Sequence, residues 1–147
     1  MSKYVSSYFS PKRGAADTVV GFIDRCVDSI DAAVYAITHD DIAEALVRAK
    51  ARGVHVRIIT DDLQASNKYA DDEHLLEHGI PLIRARQSGC MHNKFIIGDK
   101  KSVGTGSLTW TKNADTRNRE NFVIIRLRYV VLEFQKEFDT MWSHFTS

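Results

Sequence analysis

Apolar residues in this chain fall into short runs whose period alternates between two and about 3.6 residues. Tyr4–Phe9 alternates and stops at Ser10-Pro11, which predicts an edge strand. Within Ala15–Ser29, Val19, Val20, Phe22, Ile23, Cys26 and Val27 recur at helical spacing. Ile30–Ile37 is short and mostly apolar, the pattern of a buried strand. A helix follows, N-capped by Thr38 or Asp40, with Ile42, Ala45, Leu46 and Ala49 on one face and Gly53 at the left-handed position past its end. Val54–Thr60, rich in β-branched residues, predicts another interior strand, Asp61–Asn67 a polar loop, and Lys68–His78 a short helix with Leu75 and Leu76 inward. Gly79, Pro81 and Ile83 bring in a further short strand. Phe95–Ile97 and Ser102–Thr105 read as two extended segments joined by turn chemistry at Gly98-Asp99. A loop from Ser107 to Arg119 leads to a strand, Asn121–Leu127. The last helix, Tyr129–Phe145, places Val131, Phe134, Phe138, Met141, Trp142 and Phe145 on one stripe.

Strands alternating with helices in the first half indicate βαβ units with right-handed crossovers. The expected class is α/β: a mixed β-sheet flanked by helices on both faces. At 147 residues the chain fits a single domain, 1–147, able to bury roughly two-thirds of its unfolded surface. No internal repeat or linker interrupts it. With no run of about 18 apolar residues, no membrane span is expected, and no basic amphipathic helix argues for stable membrane association. The stretch MSKYVSSYFSPKR lacks the apolar core of a secretory signal, so as it stands the chain reads as cytoplasmic. Cys26 and Cys90 make no metal-ligand spacing, and neither a metal nor another cofactor is expected.

Net charge is +1, but its distribution is uneven. Residues 1–78 carry nine Lys/Arg against thirteen Asp/Glu, residues 79–132 ten against three, and residues 133–147 one against three. The basic segment contains the richest chemistry, as suits a site that attracts a polyanion.

That chemistry lies in Met91–Ser107, MHNKFIIGDKKSVGTGS. His92 and Lys94 are two apart, so at the start of a strand they project from one face. Asp99 follows after four residues and Gly106-Ser107 after six more. A nucleophilic imidazole beside a fixed ammonium suits an anionic substrate.

The spacing H-x-K-x4-D-x6-G-S resembles the signature of the phospholipase D superfamily. The resemblance continues through Leu108-Thr109-Trp110-Thr111 and Asn118-Arg119-Glu120-Asn121, and upstream through Ile30–Ile37 and Arg52–Asp61. It is strongest to the single-motif branch of bacterial Nuc-type endonucleases and mitochondrial, Zucchini-like nucleases and cardiolipin hydrolases. Relatives in that branch often carry a signal peptide or anchor ahead of the domain, and a natural chain beginning before Met1 would be periplasmic or anchored.

The resemblance implies a phospholipase D-like fold and a homodimer, because the family needs two motifs in one site and this sequence holds one. A two-fold axis would bring both His92 copies together. One, neutral, would attack phosphorus to form a phosphohistidine; the other, protonated, would donate to the leaving oxygen and then activate water. An unperturbed imidazole titrates near pH ~6.5, which predicts a bell-shaped profile peaking near or below neutrality. Lys94 would hold non-bridging oxygens, Ser107 add a hydroxyl donor, and Glu120 orient the imidazole. Asp99 would fix the turn between the motif strands rather than move protons. None of this requires a metal, so activity should persist in EDTA. The family pattern usually reads G-S-x-N, and Thr109 stands at the Asn position; a donor lost from a charge-stabilising site costs about 10²–10³ in rate.

Arg84, Arg86, Lys112, Arg117 and Arg119 flank the motif and are candidates for nucleic-acid phosphate contacts. Trp110 is expected in the core rather than stacked on a base, and His39 as a loop residue at the next helix's start. Three functions follow: a metal-independent nuclease of low sequence preference, a lipid phosphodiesterase, or a nucleic-acid-binding dimer without activity.

Overall fold

The computed structural model describes residues 4–11, 14–65 and 70–147, and of Gln64 and Ala65 the backbone alone. In chain order the elements are β1 (Val5–Phe9), α1 (Ala15–Arg25), β2 (Ser29–Val34), α2 (Asp40–Ala51), β3 (His55–Asp61), α3 (Asp62–Ala65), α4 (Asp72–Glu77), β4 (Leu82–Ala85), β5 (Lys94–Gly98), β6 (Ser102–Thr105), α5 (Lys112–Thr116), β7 (Asn121–Ile125) and α6 (Arg128–Thr146). Seven strands form one mixed sheet in the order β1-β7-β6-β5-β2-β3-β4. β2, β3 and β4 are parallel, linked by helical crossovers. β5, β6, β7 and β1 pair antiparallel, and β5 joins the halves by pairing antiparallel with β2.

The period of two sorts side chains onto two cores. Ile30, Ala32 and Val34 of β2, Val56 and Ile58 of β3, Ile96 of β5 and Phe122 and Ile124 of β7 pack with α1 and α2. Ala33, Ile59, Phe95, Ile97 and Val103 point the other way, against α6, whose Val131 and Phe138 are buried and whose Phe134, Met141, Trp142 and Phe145 are half-buried. The apolar stripe of α6 is thus spent on its own sheet. Asp31, 4% exposed, anchors that helix from β2: it receives Arg57 at 2.8 Å and Gln135 at 2.8 Å, while Arg57 also reaches Asp139 at 3.0 Å.

Local departures from the sequence pattern have clear causes. α1 stops at Arg25, where Cys26 turns extended, so Val27 is 72% exposed. α2 begins at Asp40 with His39 as N-cap and no side-chain capping bond, so neither Thr38 nor Asp40 takes that role. Gly53 has φ +93°, as a residue past a helix end requires. β3 runs through Asp61 and α3 occupies part of the expected polar loop; Ser66 and Asn67 lie outside the described residues, as does the expected start of the next helix at Lys68. α4 spans Asp72–Glu77, with Leu75 buried but Leu76 exposed. The β5–β6 hairpin turns on Asp99 and Lys100, φ +54° and +56°, with Lys101 N–H donating to Gly98 O at 2.9 Å. Two successive left-handed residues make a type I′ turn, whose twist matches the flanking strands.

At the sheet edge, Ser10 closes β1 onto the chain around Glu120. Its N–H donates to Glu120 O at 3.1 Å, its hydroxyl accepts from Glu120 N–H at 3.1 Å, and Ala114 O and Asn118 O lie 2.9 and 2.8 Å from the same hydroxyl.

Candidate active site

The carboxyl ends of β2 and β3, the start of β5, the end of β6 and the start of β7 all meet at one end of the sheet. Ligands of open α/β sheets gather at such an end. His92 sits just ahead of β5 and is exposed; Lys94, the first residue of β5, is half-buried. Lys94 Nζ lies 3.1 Å from Nδ1 of His92, 3.2 Å from Nε2 and 3.0 Å from the His92 carbonyl. The ammonium is thus nearly equidistant from the two ring nitrogens. Burial lowers the Lys94 ammonium below its ordinary value, opposed by the negative charge of Glu120 and by Cys90.

The backbone leading into His92 is held from β3: Asp61, 3% exposed, accepts from Met91 N–H at 2.9 Å and from Leu63 N–H at 3.1 Å. From β2, the Tyr35 ring packs on the His92 ring with centroids 4.7 Å apart. Across from these stands a second cluster. Ser107 Oγ donates to Glu120 Oε1 at 2.7 Å and accepts from Asn121 N–H at 3.0 Å; Asn118 Nδ2 is 3.4 Å from Glu120 Oε2. Gly106, at φ +152°, makes that approach possible, since a Cβ there would lie 2.3 Å from Asn121 O. Glu120 forms no hydrogen bond to His92 of its own chain among the described contacts.

The remaining sequence candidates divide. Asp99 lies at the far end of β5, where its carboxylate accepts from the amides of Val27, Asp28 and Ser29. Thr109 is half-buried beside the site, its carbonyl accepting from Thr111 N–H at 2.8 Å. Lys112, Arg117 and Arg119 are exposed and form no ion pair among the described residues. Arg84 pairs with Glu73 and lies 3.8 Å from the buried Asp72, and Arg86 pairs with Asp62 at 3.1 Å. β4 is three strand spacings from β5, about 14 Å, so these two arginines stand apart from the cluster. Among the described residues, no three His, Cys, Asp or Glu side chains gather as a metal site would need. No helix among them is long and apolar enough to cross a membrane.

Three features lay beyond sequence reasoning. Tyr35 ends an apolar strand, and its polar-tipped ring was the available signal. His39 is the expected loop residue at the start of α2, but it is 4% exposed, with Nε2 3.1 Å from Asp115 Oδ2, whose other oxygen accepts from Ala16 N–H. The loop after Ser107 contains α5, N-capped by Thr111 Oγ1 accepting from Ala114 N–H at 3.1 Å. Trp110 is buried at 1%, bridging Ile37.

The structure defines an α/β protein whose mixed sheet brings an imidazole–ammonium pair and a Ser–Glu pair to one end. A family profile described as cardiolipin synthase, PLD-like domain, matches residues 19–142. The chain belongs to the phospholipase D superfamily, with a single copy of the motif in this sequence. It is 39% identical over 121 residues to phospholipase D of Rickettsia conorii, covering 82% of this chain and 60% of that protein. It is 32% identical over 124 residues to mitochondrial cardiolipin hydrolase of Chlamydomonas reinhardtii, covering 84% and 56%. The chain thus spans about three-fifths of the length of these curated relatives. Among solved structures, Nuc from Salmonella typhimurium superposes with a TM-score of 0.90 at 34% identity, covering 95% of this chain and 93% of that one. NucT from Helicobacter pylori gives 0.89 at 26% identity, covering 95% of each.

Proposed function

We propose that this protein is a metal-independent phosphodiesterase that cleaves DNA or RNA with little sequence preference, in a site completed by a second copy of the chain. What carries the reading is an exposed imidazole with an ammonium 3.1 Å from its ring, while among the described residues no second exposed histidine of the same chain contacts it. His39, the other histidine at this end, is buried against Asp115.

A neutral His92 attacks phosphorus, forming a P–N bond as the P–O bond to one nucleoside breaks. The partner subunit's His92, as imidazolium, gives its proton to the departing oxygen. Now neutral, that ring takes a proton from water, whose oxygen attacks phosphorus and expels the first imidazole. The Lys94 ammonium and the Ser107 hydroxyl face charge that builds on the non-bridging oxygens. Glu120 is the carboxylate available to orient an imidazole. Lys112, Arg117 and Arg119, uncompensated and next to the site, contact flanking phosphates, the sequence-independent part of nucleic-acid affinity.

The names of the Rickettsia and Chlamydomonas relatives favour a second reading, hydrolysis of phospholipid headgroups. One assay separates these. Plasmid DNA, single-stranded DNA, RNA and phospholipid vesicles are each incubated with the protein in EDTA, beside His92→Ala. Cleavage of nucleic acid by wild type alone is expected. Strict dependence on a divalent ion, or headgroup release without nuclease activity, overturns the proposal; binding without cleavage marks a non-catalytic dimer. Solution mass should be that of two chains.

A further inference from the structure

His92 presents a mechanical problem. A nucleophile must meet phosphorus along one line, and small misplacements are costly: about 1 Å of displacement loses on the order of 10² in rate. Buried catalytic side chains are held by packing on all sides. The His92 ring is exposed, and burial does not fix its rotamer. Among the described residues, its ring contacts Lys94 and Tyr35.

Tyr35 is the better placed of the two to serve as a wall. Its ring centroid lies 4.7 Å from that of His92 with the planes at 58°, inside the range in which tilted aromatic rings attract. The same ring lies under the Lys94 ammonium, Nζ to centroid 5.6 Å, within reach of a cation–π attraction. One aromatic side chain therefore touches both reactive groups. Its backbone is held on both sides, its N–H donating to Asn93 O at 2.9 Å and its carbonyl accepting from Asp61 N–H at 3.3 Å. β2, which ends at Val34, is the interior strand where the parallel and antiparallel halves meet. Lys94, by contrast, is half-buried and carries its charge on a flexible stem.

We infer that Tyr35 is a positioning residue: its ring, rather than its hydroxyl, fixes the rotamer of His92 and seats the Lys94 ammonium beside it. The inference rests on the phosphodiesterase reading, since it assigns the ring a role in that reaction. Tyr35 touches no reacting atom. The step it serves is bond formation between His92 and phosphorus, so its loss lowers kcat with little change in KM.

The test compares wild type, Tyr35→Phe and Tyr35→Leu, with bis(para-nitrophenyl) phosphate as substrate in EDTA. Tyr35→Leu keeps an apolar side chain at a half-buried position, and its melting curve shows whether the fold survives. The expected result is a loss of roughly tenfold to a hundredfold in kcat for Tyr35→Leu, KM within about twofold, and rescue by Tyr35→Phe. A second readout needs no turnover: the imidazole C–H resonances of His92, identified by their absence in His92→Ala. These move in Tyr35→Leu, where the ring current is gone, and stay near wild type in Tyr35→Phe. Equal losses in Phe and Leu would assign the role to the hydroxyl and overturn the inference. So would full kcat in a folded Tyr35→Leu, or unmoved His92 resonances. If wild type releases no nitrophenolate, the phosphodiesterase reading itself fails, and the resonances still report whether the ring contact exists.

Discussion

Asp99 belongs to the motif by spacing but stands far from the candidate site, and replacing it should separate stability from catalysis. It lies five positions past Lys94 along extended β5, about 17 Å at the rise of an antiparallel strand. At that distance the carboxylate neither touches substrate nor exchanges protons with His92. It instead staples the β5–β6 turn to the segment entering β2, accepting from Val27 N–H at 3.1 Å, Asp28 N–H at 2.7 Å and Ser29 N–H at 3.1 Å. Hydrogen bonds to a charged group contribute about 1.5–3 kcal/mol when enclosed. Two of these three amides are exposed, so water replaces much of the loss, leaving about 2 kcal/mol for the set. Alanine at φ +54° adds about 1 kcal/mol of left-handed strain, which aspartate and asparagine tolerate better. The total for Asp99→Ala is about 3 kcal/mol. At about 2–4 °C per kcal/mol for a chain of this size, Tm should fall by about 6–12 °C. Asp99→Asn keeps the conformation and one acceptor oxygen and should lose about a third as much. Thermal melts followed by circular dichroism, with kcat measured well below both transitions, test this. A folded Asp99→Ala with kcat down more than about tenfold would refute the argument, as would a Tm within about 2 °C of wild type.

Three further outcomes follow from the same structure. Burial pushes the Cys26 thiol up to about 12 from an ordinary 9.0, with Asp99 adding and Arg52 and Arg25 opposing; the folded state therefore holds its proton longer than the unfolded chain. That stability is complete below pH 9.0, is lost as pH climbs towards about 12 by up to 1.36 kcal/mol per pH unit, and denaturant titrations of Cys26→Ala should show a shallower alkaline decline than wild type. Asp61→Ala leaves the buried Met91 N–H without its acceptor, which costs about 1–3 kcal/mol and shifts the backbone ahead of His92, so both melting temperature and kcat should drop, whereas Asp61→Asn should recover part of each. Thr109→Asn supplies the amide donor usual in the family and should raise kcat on an activated phosphodiester by up to about 10²-fold; an unchanged rate would show that Thr109 already serves, or that the position is idle.

What the sequence disclosed and what it withheld follow from the range of the forces involved. Strand interiors such as Ile30–Val34 and Val56–Ile59 are visible because alternation and β-branching are local properties. The α6 stripe is visible because seven-residue recurrence survives any tertiary context, and its Val131 and Phe138 are indeed buried. Leu76 misled because a six-residue helix buries too narrow a face to separate adjacent leucines, and Leu75 takes the inward position. The pairing of β1 with β7, more than a hundred residues on, has no local trace. At the candidate site, spacing alone put His92 and Lys94 together, since two residues of extended chain share a face. Tyr35 and Asp61 reach the candidate site from other strands, His39 meets Asp115 across 76 residues, and only the assembled sheet makes these contacts. Arg84 and Arg86 looked equivalent to Arg117 and Arg119 as basic neighbours in sequence, until Glu73 and Asp62 proved to be their counterions.

Ser10 joins two events that would otherwise be independent. The outermost strand is the easiest part of any sheet to fray, and here the residue just past its end grips both the amide and the carbonyl of Glu120. Detachment of that margin would loosen the acid beside Ser107 while the interior stayed intact. Warming should therefore silence the enzyme some degrees before its tryptophans report melting, and deuterium should enter the Ser10 and Glu120 amides at the temperature where turnover fades.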